Sequence, residues 1–428
     1  MVGEGRRRVI VALETHWDRK QLAACREAWE PGIELACPPP DDVDCPYDFD
    51  PLAWLDAAAA GALGRIDGVL SSSDYPGATL AAALATRLGL PGSRPERVIA
   101  ASHKYYSRLA QQRAAPEAVP PFGLVDPARP EREPPLPFPF FLKPVKGAFS
   151  VLARRIGDRA AFDAFLASPA IPEFTREYMA IFNRLVAALT PFDVDGRHFL
   201  AEGLLTGELV TVEGYAVDGR VEILGVVDSG LDPATRSFVR FDYPSVLPTE
   251  VQERMGEIAA RVVAELGLER TLFNVEMMWD AAAERVSIVE LNPRICGQFG
   301  DLYRKVDGAS SYEIALTLAT GGVPERRLRE GPHAAAASFP LRVFEPMRVV
   351  RAPEAEEVAR AEALFPDTLV WSECRTGEEL ADFDVDEDGA SHRYAVVNLG
   401  GTSRGDLDAK LARVRAELGY ELAPRASG

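Results

Sequence analysis

The sequence predicts a multidomain protein that combines α/β and α+β architecture. Short apolar strands alternate with helices over the first 100 residues, which is typical of a parallel sheet with helices on its faces. An antiparallel meander and a hairpin follow within residues 199–292, and short strands and helices alternate again from residue 333. A chain of 428 residues is long enough for two or three domains. We expect an α/β domain at 1–100, a central domain at 101–330 and a small α+β domain at 331–428.

The N-terminal region has two predicted strands, Arg8–Leu13 and Ile66–Leu70, each followed by a helix, Asp18–Trp29 and Thr79–Leu88. The turn Ser71–Asp74 comes directly after the second strand. Ligands of parallel sheets bind beyond the carboxyl ends of the strands, but serine and aspartate are also favoured as helix caps. The turn is therefore either a substrate contact or a cap.

A helix is predicted from Ser102 to Gln112, followed by the proline-rich connector Pro116–Pro139. Lys104 lies near the start of this helix. From the residues alone it is either a solvated lysine or a ligand for an anion.

The predicted strand Phe138–Val145 is apolar except for Lys143. A lysine among inward-facing apolar residues is costly to bury unless its ammonium reaches an anion. Lys143 is therefore a better phosphate ligand than Lys104. The loop Lys146–Ser150 is small and flexible, and its backbone N–H groups could cover phosphate oxygens.

The meander begins at Phe199–Leu205 and continues through the turn signals Thr206-Gly207 and Asp218-Gly219. The polar segment Val226–Pro248 contains arginines, including Arg236 and Arg240, whose forked guanidinium suits carboxylate recognition. Each could equally be a surface residue, as could Arg304 further along. A strongly periodic helix at Thr249–Leu266 then ends at Gly267.

The hairpin is formed by the runs Phe273–Trp279 and Val286–Asn292 around the turn-prone Asp280–Glu284. With the loop centred near residue 283, Glu276 directly opposes Glu290. Alternation along each strand predicts which side chains share a face. The glutamate face holds Asn274, Glu276, Met278, Ile288, Glu290 and Asn292. Val275, Met277, Val289 and Leu291 are expected to pack behind.

Two opposed carboxylates about 5 Å apart repel each other. A divalent cation with oxygen ligands would neutralise them, and magnesium commonly uses one or two carboxylates together with substrate phosphates. Asn292 could add an amide oxygen, and Arg294 projects from the loop after Pro293. The alternative is a surface hairpin whose glutamates point into water.

The segments N-V-E-M-M and I-V-E-L-N-P-R-I-C-G-Q resemble the magnesium-binding hairpin of the ATP-grasp superfamily. The resemblance implies an ATP-grasp fold at 101–330, in which two subdomains clamp ATP, preceded by a pre-ATP-grasp domain. It also implies roles for individual residues. Glu276, Glu290 and Asn292 would bind the metal, and Arg294 would bind the acyl phosphate. Lys104 and Lys143 would bind the nucleotide phosphates. Glu202, Gly203 and Leu205 would bind adenine, and Glu208 would bind the ribose. Two magnesium ions are expected, and Mn²⁺ could replace them. Glu208 could also lie on an exposed hairpin.

The resemblance implies an ATP-dependent carboxylate–amine ligase, most similar to amino acid ligases that form dipeptides. Its substrates would be a small carboxylate and a small amine. A biotin-carboxylase-like or nucleotide-biosynthetic ligase is an alternative that the short Lys146–Ser150 loop disfavours. A non-catalytic ATP-binding regulatory module is another, opposed by the complete set of Glu276, Glu290, Asn292 and Arg294.

The net charge of −18 disfavours a nucleic-acid partner, which needs a concentrated basic face. The sequence has no apolar run near the ~20 residues needed to span a bilayer, so neither a membrane partner nor a membrane location is expected. Five cysteines without C-x-x-C spacing indicate reduced thiols. These features favour a cytoplasmic enzyme, which could form a homodimer.

Overall fold

The computed structural model describes residues 6–42, 48–129, 133–147, 151–380 and 391–425. Residues 148–150 of the predicted phosphate loop, and Cys45, lie outside these ranges. The strands, numbered along the chain, are β1 (Arg7–Val11), β2 (Ile33–Ala36), β3 (Gly68–Leu70), β4 (Phe122–Val125), β5 (Phe140–Pro144), β6 (Arg154–Ile156), β7 (Phe199–Gly203), β8 (Glu208–Val217), β9 (Arg220–Leu231), β10 (Phe238–Tyr243), β11 (Thr271–Asp280), β12 (Arg285–Asn292), β13 (Ala335–Val343), β14 (Met347–Arg351), β15 (Leu369–Ser372), β16 (Glu379–Leu380), β17 (His392–Gly401) and β18 (Glu421–Pro424).

The helices are numbered in the same way. They are α1 (His16–Ala24), α2 (Arg26–Trp29), α3 (Pro51–Ala59), α4 (Gly77–Leu88), α5 (Pro95–Ser102), α6 (Lys104–Ala114), α7 (Arg159–Leu166), α8 (Ala170–Arg176), α9 (Ala180–Leu189), α10 (Thr249–Leu266), α11 (Gly300–Asp307), α12 (Ser311–Ala319), α13 (Ala355–Glu362) and α14 (Arg404–Leu418). Across the described residues, none of the helices has both the length and the apolar character that crossing a membrane requires.

The N-terminal region is a parallel sheet of order β2-β1-β3. Helix α4 packs on it and ends at Gly89, whose φ of 67° is left-handed and therefore suits glycine. The predicted α/β arrangement is confirmed here. The carboxyl ends of β1 and β3 lead into the loops that carry Thr15 and the Ser71–Asp74 turn.

A smaller antiparallel sheet has the order β4-β7-β5-β6. Its strand β4 lies inside the segment Pro116–Pro139, so the prediction of a plain connector there was wrong. The helix predicted from Ser102 to Gln112 is present as α6, but it begins two residues later than predicted. Ser102 ends α5, His103 has an extended backbone, and Lys104 begins α6.

An eight-stranded sheet of order β12-β11-β8-β9-β10-β13-β17-β15 forms the centre of the molecule. Apolar residues of α10, such as Met255 and Ile258, pack on one face against Val275 and Met277. Helix α11 covers part of the opposite face. The site lies on this opposite face, at the β12 end.

The eight-stranded sheet continues from the central region into the C-terminal region, because β10 pairs with β13 and β13 pairs with β17. A small sheet of order β16-β14-β18 lies beyond it. The division into domains at 1–100, 101–330 and 331–428 stays a prediction. The eight-stranded sheet contains strands from both sides of the proposed boundary between residues 330 and 331.

Candidate active site

Glu276 and Glu290 face each other across the β11–β12 hairpin. The pairing register places Glu276 opposite Glu290 and Asn274 opposite Asn292. This confirms the opposed glutamates predicted from the sequence. Asn292 Nδ2 donates to Asn274 Oδ1 at 3.0 Å and to Glu290 Oε1 at 3.3 Å, so the hairpin presents a compact set of oxygen-bearing side chains.

A β-bulge at Val289 interrupts this hairpin. Glu276 pairs with Glu290, but the next residue, Met277, pairs with Ile288. The prediction that Ile288 shares the glutamate face was therefore wrong, and Ile288 instead packs in the core with Met277. Val289 is only half-buried and does not pack there as expected. An extra residue leaves the bulged backbone unpaired, and the Val289 carbonyl is used by two cations described below.

The two facing carboxylates have different proton affinities. Burial and the facing Glu290 raise the pKa of Glu276 to about 8. Burial also opposes ionisation of Glu290, but the Lys104 and Lys143 ammoniums outweigh it and lower the pKa of Glu290. In the described part of the chain Glu276 forms no salt bridge. One of the two carboxylates is thus neutralised by protein cations while the other is left without a counter-charge.

The donor set suits a hard divalent cation. It consists of two carboxylates and an amide oxygen, which are the ligands magnesium prefers. Within the described ranges no group of three or more His, Cys, Asp or Glu side chains is arranged to hold a metal. Glu276, Glu290 and Asn292 would therefore be a partial coordination shell, completed by a substrate or by water.

Lys104 reaches the hairpin from the first turn of α6. Its Nζ lies 3.2 Å from Glu290 Oε2 and donates to the Gly147 carbonyl at 3.1 Å. Burial opposes its charge, but Glu290 and Asp74 outweigh this and raise the pKa of Lys104. Lys104 is therefore held beside the carboxylates as a cation and is not a solvated surface lysine.

Lys143 and Arg108 enclose Glu202. Lys143 Nζ lies 2.8 Å from Glu202 Oε2, and Arg108 Nε lies 2.5 Å from Glu202 Oε1. Both cations also donate to the Val289 carbonyl, at 3.2 Å from Lys143 Nζ and 2.8 Å from Arg108 Nη2. Lys143 thus reaches an anion, as its burial required, and that anion is a carboxylate of the protein. These four groups are called the charge ring below.

Arg294 is tied to the N-terminal region through Asp74. Arg294 Nε donates to Asp74 Oδ1 at 3.2 Å, and Lys146 Nζ donates to Asp74 Oδ2 at 2.6 Å. Although burial opposes ionisation, these two cations lower the pKa of Asp74 far below its usual range. Within the same turn, Ser73 Oγ accepts the Gly77 N–H at 3.3 Å, at the start of α4. The turn thus combines a capping contact with a carboxylate that reaches Arg294.

Comparison with known proteins agrees with this arrangement. Residues 136–301 match the ATP-grasp domain family. The chain contains an ATP-grasp domain. The match includes Lys143, the charge ring's Glu202 and Val289, and the whole hairpin with Arg294, whereas Lys104 and Arg108 lie outside it, on α6.

Solved structures show the same fold along nearly the whole chain. An L-amino acid ligase from Bacillus licheniformis superimposes with a TM-score of 0.72 at 16% identity, covering 98% of this chain and 99% of that chain. A biotin carboxylase from Campylobacter jejuni gives a TM-score of 0.67 at 14% identity, covering 98% and 93%. A phosphoribosylglycinamide synthetase from Anaerococcus prevotii gives 0.66 at 14% identity, covering 98% and 100%. No curated protein matches the chain. The predicted ATP-grasp fold is confirmed.

The predicted adenine and ribose residues lie at the junction of the two sheets of the ATP-grasp domain. The Glu202 side chain is turned into the charge ring, and its backbone lies on β7 between β4 and β5. The Gly203 N–H donates to the Pro121 carbonyl at 2.8 Å. Leu205 is half-buried in the link to β8, and Glu208 is exposed at the first position of that strand. Their nucleotide contacts stay predictions.

Glu213 is a buried carboxylate on β8 that the sequence did not single out. It pairs across the strands with Asn274 and is 2% exposed. Burial raises the pKa of Glu213 to about 8, and the facing Tyr303 hydroxyl and Arg294 offset only part of that rise. Its Oε2 has no hydrogen-bond partner within the described ranges. At neutral pH Glu213 is therefore largely protonated beside the hairpin.

Two other candidate arginines, Arg240 and Arg304, are engaged by the protein's own groups. Arg240 pairs with Asp242 at 2.6 Å, Arg304 donates to the Ala24 carbonyl, and Arg236 lies in a turn with a φ of 64°. Burial lowers the pKa of His103 to about 3, in agreement with a structural role. Burial and Glu213 raise the pKa of Cys296 to about 12. This disfavours a catalytic thiolate at Cys296.

Sequence reasoning missed Arg108 and the ties of Asp74. Arg108 occupies a helix, KYYSRLAQQRA, in which nothing separates a buried arginine from a solvated one. Arg108 is only 2% exposed because Glu202 and Val289, on strands β7 and β12, pack against it in the folded protein. One signal was available, because an arginine one turn after a suspected phosphate lysine lies on the same helix face.

Proposed function

We propose that this protein is an ATP-dependent ligase that joins a carboxylate to an amine and releases ADP and phosphate. The observation that carries the proposal is the facing pair Glu276 and Glu290, surrounded by the cations Lys104, Lys143 and Arg294. Phosphoryl transfer requires positioning and charge neutralisation more than covalent chemistry from the protein. This set of side chains offers both. The ATP-grasp fold supports the same conclusion.

Glu276, Glu290 and Asn292 would hold magnesium, for which we expect two ions, with Mn²⁺ as a substitute. When bound, the metal supplies positive charge to phosphate oxygens. The fit rests on Glu276, a half-buried carboxylate that faces another and whose pKa is raised by desolvation and by that neighbour. Binding a divalent cation requires Glu276 to lose its proton, so we expect magnesium affinity to increase as the pH rises toward about 8 and to level off above it.

The nucleotide would lie between the two sheets of the ATP-grasp domain. Lys104 and Lys143 would contact phosphates, because both ammoniums are fixed beside the hairpin. The backbone of Glu202, Gly203 and Leu205 would contact adenine, and Glu208 would bind the ribose hydroxyls. Each assignment combines the family resemblance with the position of the residue in the structure.

Arg294 would steady the carboxylate as it becomes an acyl phosphate. Its side chain is half-buried and already holds one carboxylate, that of Asp74, at 3.2 Å. A guanidinium fork binds carboxylate and phosphate oxygens with similar geometry. Lys146, on the other oxygen of Asp74, keeps that carboxylate neutralised if Arg294 turns toward a substrate.

We further propose that one substrate is an amino acid and that the product is an amide or peptide bond. The L-amino acid ligase shares the fold over 98% of this chain. Biotin carboxylase and phosphoribosylglycinamide synthetase share it to a similar extent. A biotin-carboxylase-like reaction, a nucleotide-biosynthetic ligase and a non-catalytic ATP-binding module are therefore separate outcomes of the test. Cellular location and oligomeric state stay predictions.

The test is ADP release with Mg²⁺ and ATP across a matrix of amino acids and small amines, with mass spectrometry of each productive mixture. ADP release that requires two substrates, with a product mass equal to their sum minus water, would establish the ligase. Release with bicarbonate and biotin would establish a carboxylase. ATP binding without turnover in every mixture would favour the regulatory module.

The metal site has its own test, with a matched control on the same hairpin. Glu290→Gln should lower kcat by roughly a hundredfold or more, because charge neutralisation at the phosphates is a large part of such catalysis. Glu284→Gln, on the exposed turn between the same strands, should keep wild-type kcat. Full turnover by Glu290→Gln would show that the metal assignment is wrong.

A further inference from the structure

Arg108 is a fully buried arginine to which the resemblance assigns no role. We propose that Arg108 is a positioning residue for nucleotide binding, which neutralises Glu202 so that the charge of Lys143 stays available to the phosphates of ATP. This inference rests on the proposed ATP site. It adds a residue, from helix α6, that lies outside the matched ATP-grasp segment.

The geometry is a closed ring of two cations and two acceptors. Arg108 Nε contacts Glu202 Oε1 at 2.5 Å, and Arg108 Nη2 contacts the Val289 carbonyl at 2.8 Å. Lys143 contacts the other Glu202 oxygen at 2.8 Å and the same carbonyl at 3.2 Å. Arg108 Nη1 donates to Gln111 Oε1, so each guanidinium nitrogen has a partner within the protein.

The charges of the ring do not cancel. Arg108 and Lys143 are positive and Glu202 is negative, which leaves one positive charge in excess. Arg108, Glu202 and Lys143 are 2%, 3% and 6% exposed, respectively. Because screening by solvent is weak in such a site, an anion placed beside the ring would experience this excess charge strongly.

The two cations differ in how much hydrogen-bonding capacity they have left. Lys143 has three ammonium hydrogens and uses two of them, on Glu202 and Val289, so that one remains for a phosphate oxygen. Arg108 is directed into the protein by its contacts with Glu202, Val289 and Gln111. The two cations therefore have different roles. Arg108 holds the Glu202 carboxylate, and Lys143 has a hydrogen free to contact a phosphate of ATP.

Without Arg108, Lys143 would be the only direct counter-charge of Glu202 within the ring. The ring would become neutral, and its attraction for phosphate would be lost. Replacing Glu202 as well would restore the excess of one positive charge, carried by Lys143 alone. The charge of the ring, more than any single contact, should therefore decide nucleotide affinity.

The experiment is isothermal titration calorimetry of ATP with excess Mg²⁺ into the full-length chain. We expect Arg108→Gln to weaken binding by roughly tenfold to a hundredfold, the range expected for a lost charge near a buried anion. The double variant Arg108→Gln with Glu202→Gln should recover to within about threefold of wild type. Equal affinity of Arg108→Gln and wild type would overturn the inference, and so would a double variant no better than the single one.

Two further variants separate charge from folding. Arg113→Gln lies on the same helix, where Arg113 forms an exposed pair with Glu265, and should bind like wild type. Glu202→Gln alone removes the negative charge that Arg108 neutralises, so it should bind ATP at least as tightly as wild type. If Arg108→Gln does not fold, weaker binding by Glu202→Gln would overturn the inference. Absence of binding by the wild-type protein would instead reject the proposed ATP site itself.

Discussion

Glu202 and Glu213 are equally buried, yet they hold protons in opposite ways. They lie on consecutive strands, β7 and β8, and are 3% and 2% exposed. Burial opposes ionisation of both. Arg108 and Lys143 nevertheless lower the pKa of Glu202 to about 2, whereas Glu213, without such partners, has its pKa raised to about 8. Burial raises the pKa of both carboxylates, and the neighbouring charges determine whether the final pKa is high or low.

The hairpin shows the same contrast within one pair of residues. Glu290 has Lys104 at 3.2 Å and is ionised, while the facing Glu276 has no such partner and retains its proton more readily. The site therefore contains two kinds of carboxylate. Glu202 and Glu290 are neutralised by nearby cations of the protein, whereas Glu276 and Glu213 have no such close partner among the described residues. A carboxylate without a counter-charge can accept a metal ion as its partner. For this reason the metal proposal rests on Glu276, which faces Glu290.

The largest expected effect comes from removing the partner of Glu202. Arg108→Met leaves that buried carboxylate with Lys143 as its only close cation, and breaking such a pair typically costs about 3–5 kcal/mol. We expect a loss of this size in the free energy of unfolding at pH 7, measured by urea denaturation. Arg113→Met, at the exposed end of the same helix, should change stability by less than about 0.5 kcal/mol. A loss below about 1 kcal/mol for Arg108→Met would mean that Lys143 alone satisfies Glu202.

A smaller and pH-dependent effect is expected at Glu213. The folded-state pKa of about 8 lies above the ordinary value of 4.5, so this group favours folding below about pH 4.5, and that contribution is lost as the pH rises through 8. Glu213→Gln should match wild type at pH 4. At pH 7 it should be more stable, by on the order of 3 kcal/mol.

Urea denaturation of the ligand-free protein at several pH values would measure this difference. Glu208→Gln is the control, because Glu208 is an exposed glutamate on the same strand. Its stability should follow wild type at every pH. A Glu213→Gln variant with a constant difference from wild type would show that Glu213 ionises normally in the folded protein.

The smallest effect on stability is expected at Glu208 itself, where ligand binding is the sharper readout. Glu208→Ala should leave the free energy of unfolding within about 0.5 kcal/mol. If Glu208 accepts from the ribose hydroxyls, the Kd for ATP with Mg²⁺ should rise by roughly tenfold. The 2′-deoxy nucleotide should bind more weakly than ATP to wild type, and equally with ATP to the variant. An unchanged Kd would place the ribose elsewhere.

Local patterns predicted much of this structure. The helix predicted at Thr249–Leu266 has the same bounds as the observed α10, since the glycine that ends it, Gly267, is visible in the sequence. The facing of Glu276 and Glu290 followed from hairpin symmetry alone. The parallel N-terminal sheet followed from the alternation of strands and helices.

What the sequence did not predict depends on contacts between distant segments. The bulge at Val289 moves Ile288 into the core, because a single extra residue reverses the alternation that had been assumed to be regular. Arg108 and Glu202 are separated by 94 positions, and Asp74 and Arg294 by 220. A side chain's charge can be read from the sequence, but its counter-charge is known only when the fold brings the two together.

The continuity of the eight-stranded sheet limits how this chain could be divided or recombined. A fragment ending at residue 330 would lack β13, β17 and β15, and the backbone of β10, which pairs with β13 at Phe241 and Tyr243, would become an open edge. Open edges recruit other strands and promote aggregation. The central and C-terminal portions should therefore be exchanged as a single module, and a chimera that replaces the C-terminal portion must supply a strand to cover β10.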